Sequence, residues 1–170
     1  SNLVSPFLVL FALTYINGIS ALEIGIASMC FFLSFGVSVI LFATIADKIK
    51  GVKDDFLIIF CGFIFRGVIF IFISVVNSIW GFYVIHILLG LSRGLTDSSQ
   101  EKIISIISSE DFLGRTFGLK IGLVNIAAAA GAALGGIFID QYGFNYVFIA
   151  VGILTIIAGF LFYYNRKVII

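Results

Sequence analysis

Histidine, tryptophan, methionine and proline each occur once in this chain, cysteine occurs twice, and charged residues fill only 11% of the 170 positions. A soluble domain carries about a quarter of its residues as charges, so this scarcity excludes one. The net charge of +1 leaves no basic excess with which to hold nucleic acid or an acidic partner. One histidine and two scattered cysteines give no metal-ligand spacing. No HExxH, phosphate loop or paired water-accessible carboxylate occurs, so no enzyme, metal or cofactor is expected. Cys30 and Cys61 fall inside apolar segments and read as packing thiols. Strand-like alternation is missing too, which argues against a membrane barrel.

What is present is 61% hydrophobic with a mean hydropathy of +1.22, the composition of an all-α integral membrane protein. Residues 1–170 read as one domain of six apolar segments, approximately 3–16, 22–46, 56–76, 80–107, 115–139 and 146–164. Five reach the roughly 20 residues that a span needs. The first covers only about 21 Å of a ~30 Å hydrocarbon core, so further residues upstream are expected. Lys48, Lys50 and Lys53 follow the second segment; Lys102, Arg115 and Lys120 surround the fourth connection; Arg166 and Lys167 follow the sixth. The alternate connections, 17–21, 77–79 and 140–145, hold no lysine or arginine. By the positive-inside rule both termini are then cytoplasmic, and the expected location is the plasma membrane of a prokaryote. Trp80, Tyr142 and Tyr146 suit the outer interface, Tyr163 and Tyr164 the inner one.

Segments three and six are dominated by Phe, Ile, Val and Leu, which suggests lipid exposure, whereas two, four and five carry Gly, Ala and Ser. In the fifth, Gly114, Gly118 and Gly122 recur every fourth residue, and AAAAGAALGG follows at 127–136. Small residues at that spacing let helix backbones approach closely. They serve either packing within the chain or an interface with a second six-helix unit.

The stretch HILLGLSRGLTDSSQE at 86–101 puts His86, Arg93, Asp97 and Glu101 in one apolar segment. Near the bilayer centre each charge costs roughly 2.5 to 3.5 kcal/mol on insertion scales. Arg93, Asp97 and Glu101 follow one another at i, i+4 and form a single stripe. Arg66, about ten residues into segment three, shares a membrane level with Asp97, and a buried ion pair between them is expected. That pair is either an interhelical tie or part of a transport route. His86 is a proton carrier or a packing residue. Residues 90–94 spell GxSxG, the hydrolase elbow, but Ser92 lies mid-segment and His86 is about 240° away around a helix. The GxxxG spacing of Gly90 and Gly94 explains these residues better.

At this point the residues resemble the major facilitator superfamily, whose members are built from two six-helix halves. ATIADKIKGVK at 43–53 is similar to that family's loop signature GxLaDrxGrrk: Ala46, Asp47 and Lys48 match, while Ala43 replaces the first glycine. HILLGLSRG resembles its RxxxG motif, with His86 in the arginine position and Gly90 in place. AAAAGAALGG resembles GxxxGPxxGG through Gly131, Gly135 and Gly136, with Ala132 standing for the proline. Arg115 follows a glycine after an acidic loop, as in the family. The resemblance implies one six-helix half, the amino-terminal one, with segments one and four lining a cavity, two and five facing the other half, and three and six facing lipid. It also implies a cytoplasmic gate of Asp47, Lys48, Lys53, Glu101 and Arg115.

The expected function is secondary active transport of a small solute by alternating access, with proton coupling suggested by His86 and Asp97. Pathway candidates are Tyr15, Asn17, His86, Ser92, Arg93 and Asp97; Gly118, Gly122, Asn125, Gly131, Gly135 and Gly136 are the packing interface. Expected partners are the lipid bilayer, the solute and a second six-helix half, in the same polypeptide or as a dimer partner. The alternative is a non-transporting membrane scaffold or assembly subunit that associates through its glycine and alanine surfaces.

Overall fold

The computed structural model describes residues 5–48 and 52–166. Among the described residues there are six α-helices, α1 (Ser5–Tyr15), α2 (Ala21–Lys48), α3 (Val52–Ile73), α4 (Ile79–Ile107), α5 (Leu113–Tyr142) and α6 (Phe144–Tyr164), and no strand. A one-turn 3-10 helix, Glu110–Phe112, leads into α5. Helices α2 to α6 are long and apolar enough to cross a membrane, whereas α1, with 11 residues, is not. The fold is therefore the expected all-α bundle.

The helix ends follow from local chemistry. The backbone N–H and the hydroxyl of Ser20 both reach the Glu23 carboxylate, which ties down the start of α2 as a capping box does. Ser78 accepts from the Gly81 N–H at 3.2 Å and caps α4. Only Gly143 separates α5 from α6, at φ 83°, a left-handed conformation that glycine adopts without a steric penalty.

Glycines set where the helices touch. On α4, Gly90 and Gly94 face α2: a Cβ at Gly90 would meet the Ser34 hydroxyl and lie 2.5 Å from the Phe31 carbonyl oxygen. One at Gly94 would meet the Ser38 side chain and lie 2.8 Å from the Val39 nitrogen. The approach leaves Ser38 fully buried and lets its hydroxyl donate across the crossing to the Leu91 carbonyl at 2.9 Å. Helices α3 and α6 run antiparallel and meet reciprocally, since a Cβ on Gly67 or on Gly152 would come within 2.7 Å of the other's carbonyl oxygen. Phe56 stacks on Phe162 at 5.1 Å further along the same seam. Helix α1 lies over the centre, where Phe7, Leu8 and Phe11 pack with Ile69, Phe70 and Ile73 of α3, Ile85 and Leu89 of α4, and Phe148 of α6.

Segment three, rich in Phe and Ile, packs one face inside the bundle and leaves Leu57, Phe65, Val68 and Phe72 exposed on the other. Helix α3 buries Phe56, Ile59, Ile69, Phe70 and Ile73, whereas α2 exposes Phe32, Leu33, Val37 and Ile40. Lipid tails are as apolar as side chains, so hydrophobicity does not sort inside from outside in a membrane.

Helix α5 has no buried residue among those described. Among the described residues a Cβ at Gly118, Gly122 or Gly136 would meet nothing, whereas one at Gly135 would lie 2.8 Å from the Phe7 ring. At those three positions the small-residue face of α5 is not consumed by packing among the described residues.

Because backbone atoms of α2 stand against Gly94, neither helix can yield by a rotamer change. Gly94→Val is expected to lower stability by about 1–3 kcal/mol, the usual cost of overpacking, as a reduced thermal midpoint of the purified protein. An unchanged midpoint would show that this crossing is looser than described.

Candidate functional site

Helices α3, α4 and α5 border a half-open cavity of about 490 Å³. Arg66 comes from α3, Arg93, Asp97, Gln100 and Glu101 from α4, and Lys120 and Asn125 from α5, with Ala127 and Ala128 as a thin wall. The rotation of α4 sorts its polar residues into two stripes, since each residue turns ~100°. Ser92 and Thr96 point at α3; Arg93 and Asp97, one step on, point into the cavity.

Arg66 is held on the first stripe. Its Nη2 donates to the Thr96 hydroxyl at 2.6 Å and the Ser92 carbonyl at 3.1 Å, and its Nε donates to the Ser92 hydroxyl at 3.3 Å. Ser92, fully buried, donates onward to the Gly62 carbonyl at 3.1 Å. Only a glycine fits opposite, because a Cβ at Gly62 would meet the Thr96 methyl group. On the second stripe Arg93 Nε donates to Asp97 Oδ2 at 3.1 Å, and the guanidinium lies over the Phe35 ring, 4.9 Å from its centroid. A cation over a ring face is favoured by about 0.5 to 1 kcal/mol or more when desolvated.

The expected Arg66–Asp97 ion pair is therefore not formed. The two residues do share a membrane level, as depth counting requires, but Asp97 is taken by its own helical neighbour, which needs no interhelical approach. Among the described residues no carboxylate lies within ion-pair distance of Arg66. Glu101 pairs with Lys120 of α5.

Sequence reasoning missed one buried pair. Asp55, fully buried in the first turn of α3, lies 2.9 Å from Lys102 of α4 through Oδ2. The approach lacks hydrogen-bond geometry, so the attraction is charge to charge; among the described residues Oδ1 and the buried Ser99 hydroxyl have no hydrogen-bond partner. Both residues lie about one turn from the same ends of α3 and α4, so the depth counting that linked Arg66 to Asp97 could have found them. Thr96, one turn after Ser92, was missed because threonine in an apolar helix carries no charge signal.

The other expected residues are more scattered. His86 is buried, its Nδ1 2.9 Å from the Phe82 carbonyl and its ring against that of Phe82 at 4.3 Å, outside the cavity. Tyr15 stacks on Phe11 at 5.1 Å, and Asn17 is exposed in the connection after α1; neither lines the cavity. Gly131 and Gly135 line a separate apolar cleft of about 560 Å³ between α1, α5 and α6. Of the expected gate, Lys48 and Arg115 are exposed, and the side chains of Asp47 and Lys53 lie outside the described residues.

An antiparallel bundle with a charged mid-helix cavity is thus in place, and the sequence matches the family profile described as Major Facilitator Superfamily over residues 1–168. The chain belongs to the Major Facilitator Superfamily. A major facilitator relative, an uncharacterized MFS-type transporter of Methanocaldococcus jannaschii, is 28% identical over 167 residues, covering 98% of this chain. The chain spans 42% of that relative's length. Membership makes this an integral membrane protein of a transporter family rather than of an enzyme family.

Removing one partner of a buried pair leaves an uncompensated charge at a cost of about 3–5 kcal/mol. Lys102→Met, which strands the fully buried Asp55, should destabilise by that amount, and Asp55→Asn by less, because the Lys102 side chain is 19% exposed and can reach water. Unfolding measurements on the single variants and on the double variant should show most of the loss recovered in the double. Equal losses in all three would contradict the pairing.

Proposed function

We propose that this chain is one half of a secondary active transporter that moves a small solute by alternating access through the α3–α4–α5 cavity. The observation that carries the reading is the pair of guanidiniums with Asp97 around about 490 Å³ of space, well inside helices that cross the membrane. Groups so costly to insert are functional candidates by default, and the volume suits a small ligand. A scaffold that associates only through glycine faces has no use for such a cavity.

The second half, in the same polypeptide or as a dimer partner, covers the open faces of α5 and α2. That Gly118, Gly122 and Gly136 meet nothing within this chain supports an interface there, with Asn125 at its edge. The lysine- and arginine-bearing connections lie in the cytoplasm, with both termini, in a prokaryotic plasma membrane. On that side the Glu101–Lys120 tie closes α4 on α5, and Asp47, Lys48, Lys53 and Arg115 complete the gate.

Asp97 is the coupling group. Ionised, it holds Arg93; protonated, it releases Arg93 toward the cavity, which links proton uptake to solute binding. His86, packed on Phe82 away from the cavity, is a weaker candidate for that role.

The test uses the complete protein in liposomes offered a metabolite mixture, with trapped solutes identified by mass spectrometry. A solute should accumulate above protein-free vesicles, more so with an inward proton gradient, and Asp97→Asn should cut accumulation at least tenfold while the protein still inserts and folds. Failure of any solute to accumulate overturns the transport reading; accumulation indifferent to the gradient overturns proton coupling.

A further inference from the structure

The cavity is not electrically balanced. Three cations, Arg66, Arg93 and Lys120, face it against two carboxylates, Asp97 and Glu101. Lys120 is taken by Glu101, and Arg93 shares Asp97 through Nε alone. Arg66 is fixed through Nε and Nη2 by Ser92 and Thr96, and its Nη1 has no hydrogen-bond partner among the described residues. The guanidinium is thus anchored from behind by neutral acceptors, which hold its position without neutralising its charge. Its remaining edge, with the Nη groups of Arg93, is left for something else.

From this we propose that the solute is a small organic anion, whose carboxylate or phosphate group is met by Arg66 and Arg93. The proposal rests on the transport reading above and names the chemical class of its solute. Arginine is suited to the task, because its planar fork meets either oxyanion with two parallel hydrogen bonds and stays charged when desolvated. The empty cavity carries one positive charge in excess, so the negative charge of an anionic group is favoured beside Arg66, which no carboxylate pairs directly among the described residues. The Gln100 and Asn125 amides, also on the cavity wall, offer donors and acceptors for the rest of the molecule. A cationic solute would meet an uncompensated guanidinium, and a neutral one would leave it unpaired.

The experiment is a thermal-stability titration of the complete protein in phosphatidylcholine nanodiscs. The probes are succinate, inorganic phosphate, glucose and tetraethylammonium at matched ionic strength. The lipid phosphate is the same in every arm, so only the soluble anion is read. We expect a saturable rise in the midpoint with succinate or phosphate, and the better of the two tells carboxylate from phosphate recognition. Glucose and tetraethylammonium should give none. Arg66→Gln should weaken the apparent affinity for the anion at least tenfold, with Arg66→Lys retaining part of it. Saturable stabilisation by glucose or tetraethylammonium without an anion response, no response to any probe, or an anion response undiminished in Arg66→Gln, overturns the proposal. Should Arg66→Gln not fold, the ranking of the four probes on the unaltered protein decides. A neutral or cationic solute that accumulates in liposomes and is lost with Asp97→Asn would sink the anion class and leave the transport reading standing.

Discussion

A guanidinium held inside the membrane by a serine, a threonine and a main-chain carbonyl, with no carboxylate within ion-pair distance among the described residues, is the constraint on which this bundle depends. It explains why α3 and α4 meet where they do. Arg66 reaches Ser92 and Thr96 only if the backbones lie close, and Gly62 opposite Thr96 permits that approach. Ser92 completes the seam by donating to the Gly62 carbonyl. Ser92, Thr96 and the Nε and Nη2 of Arg66 are each hydrogen-bonded across the helix boundary, as burial in a low-dielectric medium favours. The next stripe of α4 is then free to face a cavity with the Arg93–Asp97 pair.

Two ionic ties frame the same three helices further along. Lys102 reaches back to Asp55 of α3, and Glu101 reaches sideways to Lys120 of α5. Adjacent residues of one helix thus hold both neighbours, one tie against a fully buried carboxylate and the other between partly exposed side chains. The two differ in permanence, because a partly exposed pair is worth little and exchanges readily, whereas a buried one resists separation. By that measure the tie of α4 to α3 is the stronger and its tie to α5 the weaker. That division suits a helix whose small-residue face lies open and whose far side closes the cavity.

Much of this was legible in the sequence. Length and hydropathy placed the segments to within a few residues of α2 to α6, and depth counting put Arg66 level with Asp97, next in sequence to the Thr96 that binds it. The rotation of each helix was not legible. A helix apolar on every side has no amphipathic phase to read, so nothing in the residue order told whether Asp97 or Thr96 turned toward α3. The same lack of contrast hid which face of α3 packs against α4 and α6 and which, with Phe65 and Phe72, is exposed. Small residues were the better guide: Gly62, Gly67, Gly90, Gly94 and Gly152 each sit where another helix comes near. Among the motif glycines of α5, Gly135 obeys the rule, whereas Gly118, Gly122 and Gly136 meet nothing among the described residues.

The claim at the centre of this account is that the buried charges of α3 and α4 border a water-filled route open to one side of the membrane at a time. Asn125, on the cavity wall and about twelve residues into α5, reports on it directly. The measurement replaces Asn125 by cysteine in the complete protein, with the native cysteines, Cys30 and Cys61 included, changed to alanine. A membrane-impermeant maleimide is then applied from each side of sealed vesicles in turn. The account predicts modification from both sides, with the balance shifted when solute or a proton gradient is imposed; modification from one side only, or from neither, would contradict it.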